Sequence, residues 1–221
     1  MSKPLVIFGA GEIAQLAHYY FTRDSQYSIA AFTVDAAWLD GATFCGLPVV
    51  AFEQLATEFP PEACDIFIAL SYSGLNQLRR EKYLAARARG YRAASYLSSR
   101  ASLLNDGRIG DNCFILEDNT VQPFATIGNN VTLWSGNHIG HHCVIRDHSF
   151  LASHIVVSGG VEIGESCFIG VNATLRDHIR IGEKCVIGAG ALLLADAEPL
   201  GVYIGNATER SRVPSTRLKK I

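Results

Sequence analysis

Seven histidines occur among the 221 residues, and six of them, His138, His141, His142, His148, His154 and His178, lie between positions 138 and 178. An imidazole with a reference pKa near about 6.5 is the ordinary choice for moving a proton at neutral pH. The spacing of His138, His141 and His142 also admits a second chemistry, three nitrogen ligands around a zinc ion with one position left open. A separate group lies near the N-terminus. The apolar run Leu5-Val6-Ile7-Phe8 ends in Gly9-Ala10-Gly11-Glu12, the sequence of a turn whose following helix presents backbone N–H groups to a phosphate. Ala14 stands at the third position of the glycine fingerprint, where a small residue is tolerated. Asp35 closes the next apolar run and suits a ribose hydroxyl or a base edge, and Ser71 and Ser73, after another such run, form a second wall of the same site. The six cysteines are scattered without CxxC spacing, which argues against a disulfide framework and against a zinc finger.

Two different periods must hold these groups in place. Over residues 1–98, apolar runs alternate with helix-like segments. Strands are expected at Leu5–Phe8, Ser28–Val34, Pro48–Val50, Asp65–Leu70 and Tyr91–Leu97. Helices are expected over Glu12–Thr22, with Ile13, Leu16, Ala17 and Tyr20 inward, over Phe52–Phe59, and over Asn76–Arg89 with Asn76 as N-cap. That rhythm predicts a Rossmann-like parallel α/β domain. From Ile109 onward every sixth residue, through Ile115, Val121, Ile127, Leu133, Ile139 and on to Leu193, is Ile, Leu or Val, fifteen positions in all. A six-residue self-similarity predicts a parallel β-helix over residues 99–221, with three hexads to each triangular coil. Ile109, Ile127, Ile145, Ile163 and Ile181 should stack as one column. The glycines that often follow an anchor should relieve a collision or supply a positive φ. Cys113, Cys143, Cys167 and Cys185 share one place in the hexad and are expected in the core. No histidine occupies an anchor, so all should sit at corners or on outer faces, with His148 and His178 read as solvated.

The hexad array, ending in Val186-Ile187-Gly188-Ala189-Gly190-Ala191, resembles the hexapeptide acyltransferases. With Ile7-Phe8-Gly9-Ala10-Gly11-Glu12-Ile13-Ala14 in front of it, nearly the whole chain resembles the sialic-acid O-acetyltransferase-like group, which includes bacterial nucleotide-sugar N-acetyltransferases of glycan biosynthesis. The resemblance implies a left-handed β-helix, a homotrimer, and acetyl-CoA held as co-substrate in a cleft between neighbouring subunits. It implies a nucleotide-linked sugar on the first domain, against Gly9, Gly11, Glu12, Asp35, Ser71 and Ser73, with His154 also at the substrate. It places the catalytic histidine at His141, next to His142; the segment Asn137-His138-Ile139-Gly140-His141 could present either ring, so His138 is the reserve candidate. The cofactor side would be Gly159 and Gly160, whose N–H groups are candidate oxyanion donors one coil on, together with Gly188, Ala189 and Gly205. The chain departs from the family pattern at Gly140 and His142, where acids flank the family histidine, and at Asn206, where the closing segment carries proline.

The expected activity is therefore acetyl transfer to an amino or hydroxyl group of a sugar, within bacterial surface-glycan biosynthesis, with no metal. Two other readings use the same solenoid, a γ-carbonic-anhydrase-like zinc enzyme and a non-catalytic sugar-nucleotide-binding module. Net charge is −2, and the one basic run is Arg217-Leu218-Lys219-Lys220, which argues against nucleic acid as a partner. No stretch approaches the roughly 20 apolar residues of a membrane span, and no cleavage site follows the first apolar run, so a cytoplasmic protein with no membrane partner is expected.

Overall fold

The computed structural model describes residues 3–210, 212 and 214–217, and Leu218, Lys219 and Lys220 of the basic run lie outside the described residues. Strands β1 (Lys3–Phe8), β2 (Tyr27–Val34), β3 (Thr43–Phe44), β4 (Leu47–Ala51) and β5 (Asp65–Ile68) form a sheet in the order β3-β4-β2-β1-β5. Its pairings are parallel except between β3 and β4. That hairpin was not expected. Its turn residues Cys45 and Gly46 both have positive φ, as a two-residue hairpin requires, but Cys-Gly is not the usual turn pair.

Alternation along β1 sends Val6 and Phe8 to one face, where α2 (Leu55–Glu58) and α3 (Gln77–Ala88) pack, and Leu5 and Ile7 to the other, where α1 (Glu12–Arg23) packs. The inward stripe of α1 is Ala14, Ala17 and Phe21, turned from the expected Ile13, Leu16 and Tyr20, which are only partly buried. Close approach is the reason. A Cβ on Gly9 would stand 2.8 Å from the Ala69 carbonyl oxygen and 3.4 Å from the Ala14 Cβ, so the small side chains face the sheet here.

The segment Tyr91–Leu97 is not one strand. Ala93 bridges to Ile66 of the α/β sheet, and Tyr96–Leu97 then pairs with Phe114–Ile115 as the first strand of the solenoid. The solenoid closes into three sheets of seven, six and four strands. Ile109, Ile127, Ile145, Ile163 and Ile181 stack as predicted. Every anchor from Ile115 to Leu193 is buried, and Ile109 is partly so. The four core cysteines are fully buried. Burial pushes the Cys113 and Cys167 thiols up to about 12, and all four donate to carbonyl oxygens inside the coil.

The glycines after the anchors do only one of the two tasks expected of them. Gly110, Gly128 and Gly140 do not have positive φ, but a Cβ on Gly140 would meet the Gly159 nitrogen at 2.7 Å. Positive φ falls at the corners instead, at every sixth position from Asn112 to Gly190, and four of these corner residues are His142, His148, His154 and His178. The last coil is shorter. Ile181 pairs with Ala197 and Val186 with Val202, sixteen residues on instead of eighteen.

The α/β domain docks on one corner column of the solenoid. Asn112 accepts from the Ile68 N–H at 2.8 Å and donates to Asn130 at 2.8 Å, and Asn130 meets the His148 Nδ1 at 2.9 Å. Asn76 stands at the start of α3 with φ 65 and makes no side-chain cap; its amide donates to the Cys167 carbonyl at 3.1 Å. Arg79 is 1% exposed and donates to Thr132, Asn76 and the His148 carbonyl. His148, expected to be solvated, is 5% exposed against Tyr83, and burial holds its imidazole down at about 4.

Candidate active site

Most of the residues singled out in the sequence fall into three places. The first is an open cleft of about 570 Å³ at the carboxyl edge of the α/β sheet, lined by Gly11, Glu12, Ile13, Ala69, Leu70, Ser71, Tyr72, Ser73 and Trp134. Its floor is the start of α1, which has Gly11 as N-cap and no side-chain cap, so the first-turn N–H groups remain for an incoming anion. The Ser71 and Ser73 hydroxyls are 3.3 Å apart on the opposite wall. Trp134 comes from the solenoid, and Tyr72 packs on Phe150 and Phe168 while staying half exposed. The sequence reading missed Trp134. Its signal was available, because Trp follows the anchor Leu133 where glycine commonly follows other anchors. Asp35 does not line this cleft. Its carboxylate is held by Lys82 of α3 at 2.8 Å, at the end of the neighbouring strand.

The second place is the corner that holds His141 and His142. The His141 backbone N–H donates to Gln122 Oε1 at 2.9 Å, and its ring lies over Gly159, where a Cβ would stand 2.7 Å from Nε2. The two rings meet Nδ1 to Nδ1 at 3.1 Å, and His142 packs on Phe124 with ring centroids 4.8 Å apart. Both imidazoles are exposed. Gly160, one of the two expected oxyanion donors, has no N–H to give, because it donates to the His141 carbonyl at 2.8 Å. His138 is on the adjoining strand, paired with Thr120 and Val156, and points outward from the six-stranded sheet.

The third place is the corner shared by Gly136, His154 and Ala189-Gly190. The His154 ring covers Gly136, where a Cβ would stand 2.6 Å from Nδ1. Two coils on, Gly205 lies against the Ala189 carbonyl, Gly188 donates its N–H to Tyr203, and the space beside Gly190 is open. This corner and the His141 corner are separated by one side of the triangle, the six-stranded sheet. At about 3.3 Å per residue that side spans on the order of 15–20 Å. Among the described residues, no three His, Cys, Asp or Glu side chains are grouped to hold a metal ion.

The family model for bacterial transferase hexapeptide, six repeats, matches residues 106–141 and 160–195. Those two stretches of the solenoid are similar to the hexapeptide repeats of the bacterial transferases. No curated protein matches over the sequence. Among solved structures, a mutant of GDP-perosamine N-acetyl transferase from Caulobacter crescentus, in complex with CoA and GDP-perosamine, is similar at 23% identity and TM-score 0.82, covering 93% of this chain and 95% of that one. The acetyltransferase domain of PglB from Neisseria gonorrhoeae, with acetyl coenzyme A, matches at 22% identity and TM-score 0.82 over 93% and 97%. WeeI from Acinetobacter baumannii matches at 21% identity and TM-score 0.78 over 92% and 97%. These likenesses show the fold of the hexapeptide-repeat chain, an α/β domain followed by a left-handed β-helix.

Proposed function

We propose that the protein is an acyl-CoA-dependent acyltransferase that acetylates an amino or hydroxyl group of a nucleotide-linked sugar, with His141 as general base. The observation that carries this reading is the exposed His141 side chain, its ring laid over Gly159 and its Nε2 beside a backbone site that has no Cβ. In this reading Nε2 takes the proton from the acceptor as it attacks the thioester carbonyl carbon. His141 then returns that proton to the departing thiolate as the C–S bond breaks. The Gly159 N–H supplies the oxyanion contact that Gly160 cannot. The cleft at the start of α1 takes the diphosphate, and Trp134 and Tyr72 supply aromatic faces for the sugar or base. The similar structures are complexes with CoA and GDP-perosamine and with acetyl coenzyme A, which supports acetyl-CoA as co-substrate and a nucleotide sugar as acceptor.

A base must come within about 3 Å of the proton it takes. His141 lies a full side of the triangle from the corner of Ala189 and from the Trp134 edge of the cleft, so neighbouring copies complete the site in a homotrimer. The outward residues of the intervening sheet include Val156 and Leu192, 40% and 63% exposed, as a face that receives another copy would have. No helix among the described residues is long and apolar enough to cross a membrane, in keeping with a cytoplasmic enzyme of surface-glycan biosynthesis.

The test is purified protein with acetyl-CoA and a panel of UDP-, GDP- and dTDP-linked amino and neutral sugars, followed by thiol release and product mass, with His141→Ala alongside. Gain of one acetyl group on an amino sugar, lost in the variant, establishes N-transfer and the base together. Gain only on neutral sugars establishes O-transfer. No thiol release with any acceptor, and no CoA binding, overturns the reading.

A further inference from the structure

The 3.1 Å contact between His141 Nδ1 and His142 Nδ1 can be a hydrogen bond only if one nitrogen carries a proton and the other does not. The tautomer of each ring is thereby tied to that of the other. If His141 Nδ1 were the acceptor, a neutral His141 would carry its proton on Nε2 and have no lone pair over Gly159. The arrangement therefore has a productive sense and an unproductive one.

We propose that His142 is a positioning residue for His141, accepting at Nδ1 the hydrogen bond from His141 Nδ1–H and so leaving His141 Nε2 as the basic nitrogen. This inference rests on His141 being the base. A second observation is the contact on the other face of the His142 corner. Its ring lies on Phe124, and Phe124 has φ 67, a conformation that costs a bulky side chain about 1–3 kcal/mol. His142 itself has φ 58, the conformation shared by the corners of the repeat. When Nε2 takes the acceptor's proton, the Nδ1–H···Nδ1 bond becomes charge-assisted and stronger. Orientation and stabilisation of the imidazolium then come from a second imidazole in place of a carboxylate.

Two variants separate this role from a structural one. His142→Gly suits the positive φ and removes the acceptor. His142→Asn tolerates the same φ and puts Oδ1 where Nδ1 was. His142→Gly should lower kcat about 10- to 100-fold with KM within about twofold, the scale of losing an orienting partner. His142→Asn should recover kcat to within about threefold of the parent. Nitrogen-15 NMR of the imidazoles should show His141 as the Nδ1–H tautomer in the parent and in His142→Asn, and a shift toward Nε2–H in His142→Gly. An Nε2–H tautomer at His141 in the parent, or unchanged kcat in His142→Gly, overturns the proposal. The NMR readout needs no substrate. A failure of the base reading, seen as full activity in His141→Ala, is therefore distinguishable from a failure of the pair.

Discussion

Two corner columns of the same solenoid hold histidine at the same backbone conformation in opposite surroundings. His148 has φ 64 and His142 has φ 58, one hexad apart. His148 is roofed by Tyr83 of the α/β domain and bonded to Asn130, and burial holds its ring down at about 4, so it stays neutral and fixed. His142 is exposed, stacked on Phe124 and bonded to a second histidine. The repeat dictates the backbone at every corner, and the docked domain decides which corners are covered and which stay exposed.

The largest effect should fall on the open corner. His141→Ala is expected to lower kcat by about 10²- to 10⁴-fold with an unchanged melting temperature, whereas His148→Asn should leave kcat within about twofold. Equal losses of activity in the two variants would dissolve the contrast. Next in size is Arg79→Met, which leaves Thr132, Asn76 and the His148 carbonyl buried without their donor. A loss of at least about 3 kcal/mol in urea denaturation is expected. A smaller effect concerns pH. The folded His148 titrates near 4 and an unfolded histidine near about 6.5, so between those values the unfolded chain binds more protons, and stability falls as pH falls through that window. The loss should approach roughly 2–3 kcal/mol by pH 4, and His148→Asn should remove most of it. The smallest effect is Phe124→Asn, which relaxes the strained corner and should raise stability by about 0.5–1 kcal/mol.

The solenoid was legible because its contacts repeat. Each anchor stacks on its counterpart one coil away, so the inward columns and the cysteine core could be counted from the chain. The docking surface was not legible, because its contacts carry no period. Asn76 reaches Cys167, Arg79 reaches Thr132, and Tyr83 donates to Asp111. Nothing in the spacing of α3 marks Asn76 and Arg79 as inward, and helix propensity reads Asn76 as an ordinary cap. Of the candidate site, the pairing of His141 with Gly159 followed from the eighteen-residue coil. The Nδ1 contact with His142 did not, since it depends on the rotamers of two exposed rings and not on the repeat. Gln122 and Phe124 were missed for the same reason.

The shortened last coil sets a limit on assembly. A parallel coil ends in a row of unpaired backbone groups, and another molecule with matching perimeter could in principle stack on it and continue the helix end to end. Here the chain draws in by two residues, and Ala197 takes the place of a branched anchor. The final rung is smaller than the rungs before it. A full-sized rung offered by a second molecule would find neither its strand partners nor its stacking partners in line with this one.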